Sequence, residues 1–350
     1  MRNTRRDGYT VAVLGATGVV GRAMVQTLER RNFPVSELKL FATEKSAGTR
    51  IIFHGEEILV QDAGSGHFAD TDIFLFSAGS EAARLYAKSA MDSGAVVIDN
   101  SSAFRMETWV PLVVPEVNPE AISDHRGLIS NPNCSTIQLT VAIKPLLSLG
   151  MEHVYVSTYQ AASGMGQKGI TGLLNGQEDD MTFPTRNSSK HYPLVLNVLP
   201  QCDDFTANGY TKEEMKIVNE SRKILGRKDL KISPTAVRVP VVYGHSESVA
   251  IRFNHQVSLS EIRARLSKAP GIIIADDPEK GVIPHPKMAE GSGDVYVGRI
   301  RRDITDPNTI MMFVVADNIL KGASWNAVQI AEILVNRSLF CQHDPTKVEG

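Results

Sequence analysis

The sequence predicts an α/β protein: an N-terminal Rossmann-type dinucleotide-binding domain, then an α+β domain with a largely antiparallel sheet. Three observations predict it. The first third alternates short β-branched runs with apolar residues at helical spacing. A glycine-rich turn separates the first strand from the first helix. Beyond residue 150 the pattern changes to half-buried alternation in several segments. At 350 residues the chain has room for two domains. With 42% hydrophobic and 22% charged residues it can bury a sizeable core and keep a polar surface.

Residues 10–14 (TVAVL) read as a buried strand, and 18–31 as a helix with Val20, Met24, Val25 and Leu28 on one face. Strands follow at 38–42, 72–77 and 95–99, with a helix at 80–92, so a parallel sheet covered by helices is expected. This pattern ends near Asn131. Residues 152–160 alternate like a strand with one wet face, and 163–193, rich in Gly, Ser, Asn and charge, read as loop with one short helix. Thr211 caps a helix over 211–226, with Glu213 and Glu214 close behind it. Segments 235–243, 247–253, 294–301 and 309–317 read as antiparallel strands, and 323–338 as an amphipathic helix.

The bulk numbers exclude several classes. A net charge of -2, from 37 basic and 39 acidic residues, leaves no electrostatic footprint for nucleic acid. The densest basic cluster, Arg299 to Arg302, sits in a strand-like setting that suits a solvated face or an ion pair. Three cysteines, Cys134, Cys202 and Cys341, make neither a disulfide framework nor a zinc site, and no histidine spacing suits a metal. No apolar run approaches the ~20 residues of a membrane span, and Gly15, Gly18 and Gly21 break the first apolar stretch. A cytoplasmic protein with no metal, membrane or nucleic-acid partner is expected.

Gly15-Ala-Thr-Gly18-Val-Val-Gly21 lies between a strand and a helix, where glycines let backbone approach a phosphate held at the helix N-terminus. After the second strand, Glu44 is placed to bind ribose hydroxyls, whereas Lys45 with Ser46 is placed to hold a 2′-phosphate; these residues alone leave NAD or NADP open. Cys134, in Asn-Pro-Asn-Cys-Ser-Thr, precedes an apolar helical stretch. A helix N-terminus lowers a thiol pKa from about 8.5 toward about 3.5–7.5. Cys202 and Cys341 lack such a setting and read as structural. Arg238 offers a planar fork for a carboxylate, and His245 an imidazole able to take a thiol proton near neutral pH. Singly, an ion pair and a satisfied turn histidine explain these two as well.

Together these motifs resemble the aspartate-semialdehyde dehydrogenase family over nearly the whole chain. The resemblance runs from GATGVVG (15–21) through SSAFR (101–105), VPEVN (114–118), NPNCSTIQ (131–138), TYQAASGMGQKG (158–169), NGYTKEEMK (208–216) and VRVPVVYGHSE (237–247) to DNILKGASWNAVQIAE (317–332). It implies Cys134 as nucleophile, His245 as acid–base group and Gln160 orienting the reacting carbon. Arg238 would bind the substrate carboxylate and Glu213 its amino group, while Arg105, Lys216 and Asn133 would receive phosphate. It implies NADP as cofactor, held by Thr17, Gly18, Val19, Val20, Lys45 and Ser46 beside the glycines of the turn. Ser163, Gly164 and Asn318 would lie near its reactive end. Where the family's loop usually has arginine this chain has Lys45, which keeps the charge and loses the fork.

The implied reaction turns L-4-aspartyl phosphate into L-aspartate 4-semialdehyde and inorganic phosphate, through a cysteine thioester. It belongs to the route to lysine, threonine, methionine and diaminopimelate. The resemblance further implies domains over 1–132 and 133–321, with helix 322–350 packing back on the first, and a homodimer or homotetramer formed mainly through the second. Rival readings are an N-acetyl-glutamyl-phosphate reductase, whose cysteine motif differs, and a silent NADP-binding homologue, against which the intact Cys134, Gln160, Arg238 and His245 stand.

Overall fold

The computed structural model describes residues 8–66, 68–176 and 190–340. In chain order it contains β1 (Tyr9–Leu14), α1 (Val19–Arg30), β2 (Val35–Ala42), β3 (Arg50–Phe53), β4 (Glu56–Asp62), β5 (Ile73–Phe76), α2 (Gly79–Asp92), β6 (Val96–Asp99) and β7 (Leu128–Ser130). Then come α3 (Cys134–Ile143), β8 (Met151–Gln160), α4 (Gln167–Asn175), α5 (Lys212–Leu225), β9 (Lys231–Arg238), β10 (His245–Phe253), α6 (Leu259–Lys268), β11 (Ile272–Ile274), α7 (Pro286–Ala289), β12 (Val295–Arg302), β13 (Thr309–Ala316) and α8 (Trp325–Asn336). The chain divides into two compact units, 1–132 with 323–350, and 133–322. Among the described residues no helix is long and apolar enough to cross a membrane, and no cluster of His, Cys, Asp and Glu could hold a metal.

The first unit is a seven-stranded sheet, β3-β4-β2-β1-β5-β6-β7, parallel throughout except for the β3–β4 pair. Strands β1, β5, β6 and β7 are buried on both faces, and β1 is apolar at every buried position but Thr10. Alternation divides the two cores. Val11 and Val13 join Met24 and Leu28 of α1 and Ala327, Val328 and Leu334 of α8, while Ala12 and Leu14 join Ala83, Ala87 and Ala90 of α2. Arg31 anchors α8 to α1: its fork makes two 2.6 Å bonds to Glu332 and its guanidinium stacks 4.4 Å from the Trp325 ring.

The second unit is a six-stranded sheet, β11-β12-β13-β10-β8-β9. It is largely antiparallel, as expected, in its three inner pairings, while β8–β9 and β11–β12 are parallel, so the segment expected at 235–243 pairs parallel instead. The expected strand 235–243 starts earlier and ends at Arg238. Pro234 is tolerated because β9 is an edge strand, where a missing N–H costs little. Residues 239–243 leave the sheet and bind the loop after β8, Val241 and Val242 accepting from the Ala162 and Ser163 N–H groups. The expected C-terminal helix is shorter, α8 being preceded by a π-helical turn over Leu320–Ser324. In the Arg299–Arg302 cluster, the Arg301 and Arg302 guanidinium groups bond to backbone carbonyls. Cys341, read as structural, lies outside the described residues.

Helix α3 is almost wholly buried between the sheet and α5. Helix α5 has the expected cap: Thr211 Oγ1 accepts from the Glu214 N–H at 3.2 Å and the Glu214 carboxylate accepts from the Thr211 N–H at 2.6 Å. The other Glu214 oxygen accepts from the Ala236 N–H of β9 at 2.8 Å.

Candidate active site

Cys134 is the first residue of α3, and Asn133 caps it. The Asn133 side-chain oxygen accepts from the Ser135 and Thr136 N–H groups at 3.0 and 3.2 Å. Cys134 is partly exposed while its neighbours in the helix are buried, and it stands at the positive end of the helix. Two carboxylates of α5 hold the cap in place. The Asn133 backbone N–H donates to Glu220 at 2.7 Å and its carboxamide donates to Glu213 at 2.8 Å.

Gln160 ends β8 with its Nε2 within 3.0 Å of Ser135 Oγ, 3.1 Å of Glu213 Oε1 and 3.3 Å of Thr158 Oγ1. Arg238 ends β9 opposite Gln160 in parallel register. Its Nη1 donates to the Ala161 carbonyl at 2.9 Å, and its Nε is buried without a partner among the described residues.

Glu213 is buried, which pushes its carboxyl up, but Lys216, Asn133 and Arg238 outweigh burial and hold it at about 2. It is a carboxylate at any physiological pH. Lys216 sits 2.8 Å from Asp203 and 3.1 Å from Glu213. Burial pulls its ammonium down, and these two carboxylates raise it above the ordinary lysine range. The expected phosphate ligand therefore already serves two anions.

His245 opens β10. The Ala161 N–H donates to its Nδ1 at 3.0 Å, so the neutral ring carries its proton on Nε2, which has no partner among the described residues. Burial, then the Arg238 charge, push the imidazole down to about 3 against the pull of Glu213. This departs from the near-neutral titration expected of it: at neutral pH the ring is an Nε2–H donor. Gly164 lies against it, for a β-carbon there would stand 3.0 Å from Arg238 Nη1 and 3.4 Å from His245 Nε2.

Ser163 and Asn318, both expected at the cofactor, bind one another, the Asn318 Nδ2 donating to Ser163 Oγ at 3.0 Å. Asn318 also accepts from the Gly244 N–H at 2.9 Å, tying the turn before His245 to the loop after Gln160. The adjacent Asp317 carboxylate accepts from the Ile319, Leu320 and Gly291 N–H groups at 2.9, 3.0 and 2.9 Å, which fixes the π-helical turn.

In the first unit, Gly15 has φ +77° and lies against Ser77, where a β-carbon would meet its carbonyl oxygen at 2.9 Å. A β-carbon at Gly21 would stand 2.1 Å from the Gly15 carbonyl oxygen, so only glycine lets α1 start this close to β1. Gly18 caps α1 without a side chain, leaving the first-turn N–H groups of Val19 and Val20 to the loop side, past Thr17. This cradle fits a dinucleotide phosphate. Lys45 stands exposed and Ser46 half-buried in a 3-10 turn directly after β2. Arg105 is buried, and its fork donates to the backbone carbonyls of Asn131 at 3.0 Å and Asn100 at 2.8 Å, bracing the loop that leads toward Cys134.

Sequence reasoning missed Thr158, Asp203, Glu220 and Gly322. Glu220 had a signal, since it shares a helical face with the buried Ile217 and Ile224, and an acid among apolar residues wants a partner. Asp203 and Gly322 had none, because their partners come from distant segments.

The two units correspond to two known domain families. A model described as the semialdehyde dehydrogenase NAD binding domain matches residues 10–125, and one described as the semialdehyde dehydrogenase dimerisation domain matches 143–321. The aspartate-semialdehyde dehydrogenase of Bacillus subtilis is 46% identical over 95% of this chain and 99% of its own length, and that of Aquifex aeolicus 48% identical over 95% and 100%. Among solved structures, aspartate semialdehyde dehydrogenase II of Vibrio cholerae complexed with ASA superposes with a TM-score of 0.89 at 42% identity, covering 95% of this chain and 99% of that one. The Candida albicans enzyme with NADP gives 0.74 at 25% identity, covering 95% and 99%. The chain belongs to the aspartate-semialdehyde dehydrogenase family. It is an oxidoreductase with a nicotinamide-dinucleotide-binding domain and a dimerisation domain.

Proposed function

We propose that this enzyme interconverts L-4-aspartyl phosphate and L-aspartate 4-semialdehyde with NADP, through a thioester on Cys134. The observation that carries the reading is the convergence on one helix start. Cys134 is its first residue, Asn133 caps it, and Asn133 and Gln160 both donate to the ionised Glu213.

In the biosynthetic direction the Cys134 thiolate adds to the acyl carbon of the acyl phosphate. The carbon–oxygen bond to phosphate breaks, its electron pair leaves with phosphate, and the thioester remains. NADPH, when bound, would supply the hydride to that acyl carbon; the carbon–sulfur bond then breaks, its electron pair returning to Cys134 as the semialdehyde leaves. The protein's residues supply position and charge. The α3 dipole favours the thiolate, and His245, the acid–base group, presents its Nε2–H as the acid toward the developing oxyanion. Arg238 takes the substrate α-carboxylate and Glu213, held as carboxylate, its ammonium. Gln160 orients the reacting carbon, and Arg105, with Lys216 and Asn133, serves the phosphate. The turn at Gly15, Gly18 and Gly21 takes the dinucleotide phosphates, and Lys45 with Ser46 selects the 2′-phosphate. Ser163, Gly164 and Asn318 shape the nicotinamide end. The enzyme works as a cytoplasmic homodimer or homotetramer on the pathway to lysine, threonine, methionine and diaminopimelate.

The deciding assay is phosphate-dependent NADP reduction with L-aspartate semialdehyde against N-acetyl-glutamate semialdehyde. Turnover of the first alone is expected, and turnover of the second alone overturns the reading. Cys134→Ala should abolish turnover and acyl-enzyme formation while keeping fold and NADP binding, and Cys202→Ala should stay active.

A further inference from the structure

Beneath the residues assigned above lies a buried acid that the reaction does not use. Glu247 is two residues past His245 on β10, with Thr158 of β8 and Val314 of β13 as cross-strand neighbours, and it is fully buried. Residues i and i+2 of a strand share a face. Gln138 is four residues past Cys134 on α3, one turn along the same face, and is also buried. Helix α3 packs on β10, and the Gln138 carboxamide lies beside the Glu247 carboxyl.

Both carboxyl oxygens of Glu247 and both polar atoms of Gln138 are buried and unpaired among the described residues. Four orphaned polar atoms on two adjacent side chains are costly in an interior unless they serve each other. An acid and an amide are complementary: the acid O–H donates to the amide oxygen, and the amide N–H donates to the acid carbonyl. A carboxylate has no donor and would strand the Gln138 oxygen. Rotation about the terminal torsions, which are soft, closes the ring without moving backbone.

We propose that Glu247 and Gln138 close into an acid–amide pair that fixes the helix bearing Cys134 to the strand bearing His245, and that both are positioning residues for the reaction. Burial pushes the Glu247 carboxyl well above its ordinary range, opposed only by the Gln138 amide. The titratable groups on the elements around it, Cys134 on α3, His245 on β10 and Glu213 and Glu220 on α5, add nothing to that shift. Burial thus favours the acid form that the pair requires. A slip of α3 along β10 would shift the sulfur against the imidazole, and misplacements of that kind cost rate rather than binding.

The kinetic part rests on Cys134 as nucleophile; the pairing itself does not. Infrared difference spectra of wild type against Glu247→Gln at neutral pH read the acid directly. A carboxylic-acid carbonyl band lost in the variant is expected, and carboxylate bands lost instead overturn the proposal. Glu247→Gln can form an amide–amide pair and should keep kcat near wild type. Glu247→Leu should lower kcat at least about tenfold with little change in KM, and shift the pH dependence of Cys134 alkylation by iodoacetamide. The double variant Glu247→Leu, Gln138→Leu should regain thermal stability without regaining kcat. Recovery of both together, or wild-type turnover in Glu247→Leu, makes the pair mere filler and ends the proposal. Should the leucine variant not fold, the infrared band and the kcat of Glu247→Gln still decide. An active Cys134→Ala would remove the nucleophile and leave the band untouched, so the two failures are distinguishable.

Discussion

Gly322 is pressed against Cys134: a β-carbon built on it would stand 2.7 Å from Cys134 Cβ and 3.2 Å from its Cα. The π-helical turn over Leu320–Ser324 brings this backbone there, and the Asp317 carboxylate holds the start of the turn. Such turns recur at functional sites because they displace backbone locally.

Gly322→Ala must therefore move the candidate nucleophile. A shift near 1 Å at a reacting atom costs on the order of 10²-fold in rate. Steady-state kinetics should show that loss in kcat, with KM for the semialdehyde and NADP much less affected. A variant with wild-type kcat would mean that Cys134 needs no such backing.

His245 makes stability depend on pH in a stated direction. Its folded value, about 3, lies below the ordinary 6.5. Between those values the unfolded chain binds the proton and the folded chain does not, so the contribution is present above about 6.5 and lost as pH falls toward about 3. His245→Gln, which cannot titrate, should flatten the acid decline of thermal stability in that window. Parallel curves for variant and wild type would contradict the assignment. For the same reason the acid limb of kcat/KM, which reports the free enzyme, should contain no His245 ionisation near 6.5.

The cofactor prediction concerns the turn after β2. Lys45 is exposed in that turn, where the proposed reading has it bind the 2′-phosphate. Lys45→Ala should raise KM for NADP more than for NAD. Equal use of both cofactors by wild type, or equal damage to both, would move the 2′-phosphate elsewhere.

Arg238 and Arg105 should divide the two anions. Arg238→Lys should weaken the semialdehyde, because only the planar fork reaches a carboxylate with two bonds. Loss of a charge-assisted contact costs about 1.5–3 kcal/mol, or roughly 10- to 150-fold in affinity. Arg105→Lys should weaken phosphate and also lower kcat, since its fork braces the Asn131 and Asn100 carbonyls. Michaelis constants for each substrate in each variant are the measurement. An Arg105→Lys enzyme impaired only toward the semialdehyde would reverse the assignment.

Most of the nucleotide unit was legible because its signals are local. A βα alternation, a glycine turn and strands apolar on both faces each declare themselves within a dozen residues. The β3–β4 hairpin was not, for its strands are half-exposed and mixed, as in the exposed Glu56, Glu57 and Ile52. In the second unit each inner strand was visible by its alternation. Which strands run parallel was not, because direction depends on where the connections cross and not on the strands themselves.

The sequence by itself determined the family, the two-domain order and the helix start that presents Cys134, since the N-cap of Asn133 and the capping box of Thr211 and Glu214 are contacts within a few residues. Only the tertiary structure decided what the polar residues are bonded to. Gln160, Glu213, Asn133 and Glu220 meet across 53 to 87 positions of chain, and Lys216 is claimed by Asp203, 13 positions away. Protonation followed the same rule. Burial and the Arg238 charge set His245, while Lys216 and Asn133 set Glu213, and both are properties of neighbours that folding brings together.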